Sequence, residues 1–450
     1  MPHTYRIKTP AFTFGRSVLL GTSLLLAGCS TIDRVTSVFG SDAPALGTPG
    51  SVKGFLGHVV SDEPQATLAG RNTLSAGGNA VDAMVAVGST LWASLPSRAG
   101  IGGGGECVVF PAKSAGGPQA FSFPTSAPRS LAGERPAGVP MMARGLFLMH
   151  ARFGSQKFEQ LIGPAEAQAR FGITVSRAFA RDLAVVGQAL AADPSAAAVY
   201  FRNGQPVVEG TAIIQTELAA TLGQLRSAGV GDFYQGAFAR RLADGSQSVG
   251  ANISLDDLRG GLPKQSAPVL VASRFNGDQV AFTTGAGGMA AAAMFQTLAR
   301  DPQATLPDDG GMGLPASTSA VTLDNAGNAV ACAFSMNNLF GTGRIVPGTG
   351  VLLAATPGQN SAPQLSAAIA FNPALRVFRA AVGGSGQQGA ARATASAMAQ
   401  TLITAQALQA LPAEPGRANV IGCSRYLPGS EGSCLAATDP RGAGLSAGSN

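Results

Sequence analysis

Ser317-Thr318-Ser319-Ala320-Val321-Thr322-Leu323, then Asp324-Asn325-Ala326-Gly327-Asn328, then Ala329-Val330-Ala331-Cys332-Ala333-Phe334-Ser335, reads as two strands around a short turn. β-Branched and small apolar residues fill both runs, and the connector is made of residues that accept tight-turn backbone conformations. The first strand opens on a serine. Just upstream, Asp308-Asp309-Gly310-Gly311 belongs to a polar, glycine-rich passage, where a chain can be cut without breaking a core.

The rest of the chain limits what that serine can use. The three histidines, His3, His58 and His150, all precede Ser317, and no lysine follows it. A local Ser/His/Asp relay is therefore absent. A hydroxyl can instead take its own α-amino group as base, because that amine has a pKa of about 7.7–8.0 and is partly neutral at physiological pH. This requires a cut between Ala316 and Ser317; Thr318 is the neighbouring alternative nucleophile. His58 and His150 read as structural. With so few histidines and no cysteine pair at zinc spacing, no metal is assigned, and no organic cofactor is implied.

At 450 residues and 45% apolar content the chain can bury a large core, as one big domain or two. The formal charge of +6 includes Arg6, Lys8 and Arg16 in a leader without acids, and about +3 remains beyond it. No cluster of Lys and Arg is left to suggest nucleic acid, and no second apolar run is long enough to span a bilayer. The leader's apolar run from Ser17 to Leu26 precedes Leu26-Ala27-Gly28-Cys29, which resembles a bacterial lipobox. Residues 1–28 then form a lipoprotein signal peptide, Cys29 is lipidated, and 29–52 are a tether to the membrane. That places the exported protein on the periplasmic face of the outer membrane. An ordinary cleaved signal peptide is the alternative. Export permits disulfides, and Cys423 with Cys434 is the candidate pair. Cys107 and Cys332, inside apolar runs, read as buried inert thiols.

Ala76 to Leu95 reads as a buried helix, and Gly102 to Gly105 open onto a strand at Cys107 to Phe110. No Gly-Lys-Ser/Thr follows these glycines, so they form no phosphate loop. Gly145 to about Leu225 is helical. Gly350–Ala354 and Val377–Val382 are strand-like, and Ala390–Leu411 is an alanine-rich helix. The pattern is sheets covered by helices.

Ser317-Thr318-Ser319, Gly327-Asn328-Ala329-Val330-Ala331, Ser335-Met336-Asn337 and Phe340-Gly341-Thr342-Gly343 together resemble the nucleophile signature of the γ-glutamyltransferase family. The likeness extends to Gly77-Gly78-Asn79-Ala80-Val81-Asp82-Ala83, Gly100-Ile101, Pro164-Ala165-Glu166, Phe233-Tyr234-Gln235-Gly236, Asp256-Asp257-Leu258 and Ala437-Thr438-Asp439-Pro440-Arg441. It implies an α/β (α+β) N-terminal nucleophile hydrolase, a four-layer αββα sandwich. One intertwined domain would be built from a large-subunit segment, 53–316, and a small-subunit segment, 317–450, that stay associated after self-cleavage.

Residue by residue, the resemblance implies Ser317 as nucleophile in place of the family's threonine. Ser335 would assist it, and Gly383 and Gly384 would donate to the oxyanion. Asn337, Ser366 and Thr356 would contact substrate. Three departures touch the substrate: the family's carboxylate-binding arginine aligns with Pro124, the acidic residues expected after Leu353 are replaced by Ala354-Ala355-Thr356, and the second of two paired serines is Ala367. Arg98 and Arg129 are the candidates for the missing charge. The implied activity is acyl transfer from γ-glutamyl compounds such as glutathione to water or an amine. An acylase with another small amide substrate and a non-catalytic lipoprotein scaffold are the alternatives.

Overall fold

Two antiparallel sheets carry the chain, and the alternation of side chains along each strand decides which layer a residue enters. A computed structural model describes residues 54–307, 316–358, 365–404 and 412–449, with Met1 and Leu408. The expected signal peptide, Cys29, the tether to residue 52 and the passage at Asp308–Gly311 lie outside the described residues. The elements that follow belong to one unit, residues 45–450.

In chain order the main strands begin with β1 (Gly57–Ser61), β2 (Gly104–Phe110), β3 (Gln119–Phe123), β4 (Lys264–Ser266), β5 (Val269–Ala272) and β6 (Gln279–Phe282). They continue with β7 (Ser317–Asp324), β8 (Ala329–Ser335), β9 (Ser366–Asn372), β10 (Val377–Ser385), β11 (Arg417–Leu427), β12 (Cys434–Thr438) and β13 (Leu445–Ser449). One sheet has the order β13-β1-β7-β8-β2-β3-β4, the other β12-β11-β10-β9-β6-β5. The principal helices are α1 (Pro64–Ser75), α2 (Ala80–Ser94), α3 (Met142–Phe153), α4 (Phe158–Phe171), α5 (Arg177–Leu190), α6 (Thr216–Ala228), α7 (Ala286–Arg300) and α8 (Ala390–Thr404).

Three apolar cores separate four layers. Val59, Trp92, Phe121, Phe123 and Leu161 join the first sheet to α1–α6. Val60, Phe110, Val321, Ile369 and Phe378 fill the space between the sheets. Phe282, Phe295, Val382 and Met398 join the second sheet to α7 and α8. This is the helix-sheet-sheet-helix sandwich expected from the sequence.

Along β7 the alternation is clean. Val321 and Leu323 enter the inter-sheet core while Ala320 enters the helix-side core. Ser317 and Ser319, in step with Val321, therefore share the inter-sheet face. The turn is tied by Asp324, whose Oδ1 accepts from the backbone of Ala326 and Asn328 at 3.0 and 2.9 Å, with Gly327 at φ +85. Its Oδ2 accepts from Ala80 N, so the hairpin docks on the start of α2.

Some boundaries differ from the sequence expectation. The helix foreseen from Ala76 starts at Ala80, because Asn79 and Asp82 form a capping box there. The strand foreseen over Val377–Val382 runs on to Ser385. Cys107 and Cys332, read as free thiols, are joined in a disulfide. They are direct partners across β2 and β8, a pairing 225 residues apart in sequence that only the register creates. Cys423 and Cys434, across β11 and β12, are joined as well.

Candidate active site

Ser317 begins β7 directly opposite Ser335, the last residue of β8, and is 1% exposed. β10 ends beside it. Gly386 then turns with φ +97, where a Cβ would collide with the Pro415 carbonyl, so glycine is required. That turn aims two backbone N–H groups, of Gly386 and Gln387, at Ser317 Oγ, each 3.0 Å away. The donors foreseen at Gly383 and Gly384 are elsewhere: both are paired inside β10, Gly383 with Ala367 and Asn419, Gly384 with Ser366 and Ala418. The strand runs past them, so the free N–H groups come from the turn after it.

The bond that precedes Ser317 is held from the other side. Ser335 Oγ donates to the Ala316 carbonyl at 3.1 Å and accepts from Asn337 N at 2.8 Å. The Asn337 contact leaves the Ser335 proton free to point at Ala316. Asn337 sits at φ +65, and its Nδ2 donates to Thr125 Oγ1 at 2.7 Å and to the Ala355 carbonyl at 2.6 Å. Gln387 Nε2 donates to the Asn337 carbonyl at 2.9 Å, closing a ring around the serine.

Thr318, the alternative nucleophile, faces away and donates to Asp62 Oδ2 at 2.8 Å. Asp62 is buried and also receives Asn419 Nδ2 at 2.9 Å, Ser319 N at 3.3 Å and Ser385 Oγ at 3.4 Å. Ser319 Oγ donates to the Gly383 carbonyl at 2.9 Å. This block fixes the ends of β7 and β10 against each other, and with them Ser317 against its two donors.

Of the other expected site residues, Thr356 follows Ala355 and is anchored through its N–H to Pro136, while its buried hydroxyl has no partner among the described residues. Ser366, opposite Gly384, likewise has a buried hydroxyl without a partner and no hydrogen bond to the Ser317 cluster. Pro124 lies one residue beyond β3 beside Gly104. Arg98 is held by Asp182 through two hydrogen bonds of 2.8 and 2.7 Å; burial opposes its charge, but Asp182 outweighs that and raises its pKa. Arg129 pairs with Asp256 on the exposed surface. Neither arginine replaces the charge missing at Pro124. His150 contacts Gln156 and Asp82 at the start of α2, and His58 is buried, which lowers its pKa.

Asp62, Thr125 and Asn419 are the participants that the sequence reading did not single out. Among the described residues no group of three or more His, Cys, Asp or Glu side chains converges as a metal site would need. The arrangement can polarise one carbonyl, at Ala316, and hold one serine hydroxyl beside two fixed N–H donors, which is the equipment of acyl transfer.

A family model for gamma-glutamyltranspeptidase matches residues 66–309. The glutathione hydrolase proenzyme of Escherichia coli (strain K12) is 30% identical over 226 residues, 46% of this chain and 39% of that protein. The acylase ACY 1 proenzyme of Pseudomonas sp. (strain V22) is 30% identical over 227 residues, 46% of this chain and 41% of that protein. These matches span about two fifths of each relative's length. The crystal structure of cephalosporin acylase from Bacillus halodurans superposes with a TM-score of 0.67 at 18% identity, covering 88% of this chain and 97% of that one, a likeness of fold.

Proposed function

Because the chain belongs to the gamma-glutamyltranspeptidase family, we propose that it is a self-processing hydrolase or acyltransferase whose nucleophile is the Ser317 hydroxyl. The observation that carries this reading is the double hold on one bond: Ser335 on the Ala316 carbonyl, Gly386 and Gln387 on Ser317 Oγ.

In the first step Ser317 Oγ attacks the Ala316 carbonyl carbon. The C–N bond breaks, the hydroxyl proton passes to the departing nitrogen, and an ester joins Ala316 to Ser317. Water then cleaves that ester, leaving a carboxylate on Ala316 and a free α-amine on Ser317. In turnover this amine takes the Oγ proton as the hydroxyl attacks a substrate amide, and returns it to the leaving amine. The acyl ester on Oγ is finally taken by water or by a second amine. Gly386 and Gln387 N–H, held on Ser317 Oγ, stabilise the negative charge that gathers on that oxygen as its proton leaves.

For substrate we infer a small amide, with γ-glutamyl compounds such as glutathione as the first reading. A second reading, an acylase with a different acyl group, is favoured by Pro124 and Ala367, which remove two carboxylate ligands. Release of the aromatic amine from a γ-glutamyl anilide tests the first. Silence there together with turnover of anilides lacking the α-carboxylate supports the second, and silence on every anilide by a cleaved, folded protein overturns both.

A further inference from the structure

A cavity of about 170 Å³ lies next to the nucleophile's strand and gathers four arginines from four separate segments. Arg98 comes from the short helix Pro96–Ala99, Arg181 from α5, Arg417 from the first position of β11, and Arg441 from the connection between β12 and β13. Asp62 and Leu339 also line it.

Its place is set by contacts already described. Asp62 touches Thr318 and Ser319, which directly follow the nucleophile, and Ser385, which directly precedes the donor Gly386. Arg417 is the strand partner of Ser385. In the first sheet β1 lies on one side of β7, while β8, β2 and β3, leading to Asn337 and Pro124, lie on the other. Asp62 directly follows β1. Asn337 and Pro124 therefore lie toward one flank of Ser317, and Asp62, which lines the cavity, lies toward the other.

The cations are not equally committed. Arg98 is fixed by Asp182, and Arg441 by Asp439 at 2.6 Å. Arg417 and Arg441 share Glu414, whose side chain is 62% exposed, so its hold is screened by solvent and readily exchanged. Arg181 donates to the Arg441 carbonyl and meets no carboxylate among the described residues. A planar guanidinium group matches a carboxylate bidentately. A ligand carboxylate could take the position that Glu414 occupies.

We propose that this cavity binds the free carboxylate of the amine that leaves or accepts the acyl group at Ser317, an amino acid or a peptide with an unblocked C terminus. The assignment of the ligand's role rests on the catalytic reading of Ser317; the carboxylate site itself does not.

Calorimetric titration of the purified protein with an alanyl dipeptide and with the same dipeptide as its C-terminal amide tests it. The free dipeptide is expected to bind at least tenfold more tightly than the amide. Arg181→Gln and Arg417→Gln should abolish that preference, and Arg181→Lys should recover part of it, with thermal melting confirming that each variant is folded. Equal binding of acid and amide, or a preference that survives both glutamine substitutions, overturns the proposal. Loss of anilide hydrolysis with an intact carboxylate preference would remove the catalytic reading and leave the site standing. Active hydrolysis without the preference would do the reverse.

Discussion

Glu106→Gln isolates the cost of one buried charge within the sandwich. Glu106 is 4% exposed on β2, its Oε2 accepting from Gly285 N at 3.1 Å and its Oε1 from Ser122 Oγ at 3.3 Å. Burial pushes its pKa up from 4.5 to about 7, and the hydrogen bonds from Gly285, Ser122 and Thr283 recover only part of that. A carboxyl with a raised folded-state pKa holds its proton longer in the folded than in the unfolded chain. Stability therefore falls as pH rises from about 4.5 to about 7 and levels off above. At 1.36 kcal/mol per pH unit the loss reaches roughly 3 kcal/mol by about pH 8, and is under about 0.5 kcal/mol at pH 4.5. Glutamine keeps the shape and cannot ionise. Urea unfolding at the two pH values should show the variant gaining roughly 3 kcal/mol on the wild type between them. A difference that does not change with pH, or a variant that loses ground at the higher pH, would refute the buried-charge reasoning.

Ser335→Ala removes the donor on the Ala316 carbonyl and should slow self-cleavage by roughly 10²–10³-fold, followed as precursor loss on a gel. Gly386→Ala places a Cβ against the Pro415 carbonyl at φ +97; it should lower stability by about 1–3 kcal/mol in denaturant unfolding and displace a donor from Ser317, abolishing cleavage. Cys29→Ser removes the expected lipid attachment point, so fractionated cells should show the protein leaving the membrane pellet for the soluble fraction.

The hairpin from Ser317 to Ser335 was legible in the sequence because everything that makes it is local: two apolar runs and a turn that Asp324 closes on itself. Periodicity gave only sheets covered by helices; the four layers came from the family resemblance. The two N–H groups beside Ser317 lie three residues beyond the glycines read as donors, because two adjacent glycines suggest a turn, whereas Gly383 and Gly384 pack flat against neighbouring strands and Gly386 does the turning. Nothing local marks Asp62 or Asn419. They matter through contacts 256 and 357 residues apart in sequence, which exist only once β1, β7 and β11 lie together. The Cys107–Cys332 disulfide escaped for the same reason, since the register of two distant strands makes that pair.

N-terminal sequencing of the purified protein's fragments tests the central claim most directly. The wild type should yield a chain that starts Ser-Thr-Ser-Ala-Val at Ser317, and Ser317→Ala should stay whole. An intact wild-type chain, a fragment that begins at any other residue, or a Ser317→Ala variant that is still cut between 316 and 317 would contradict it.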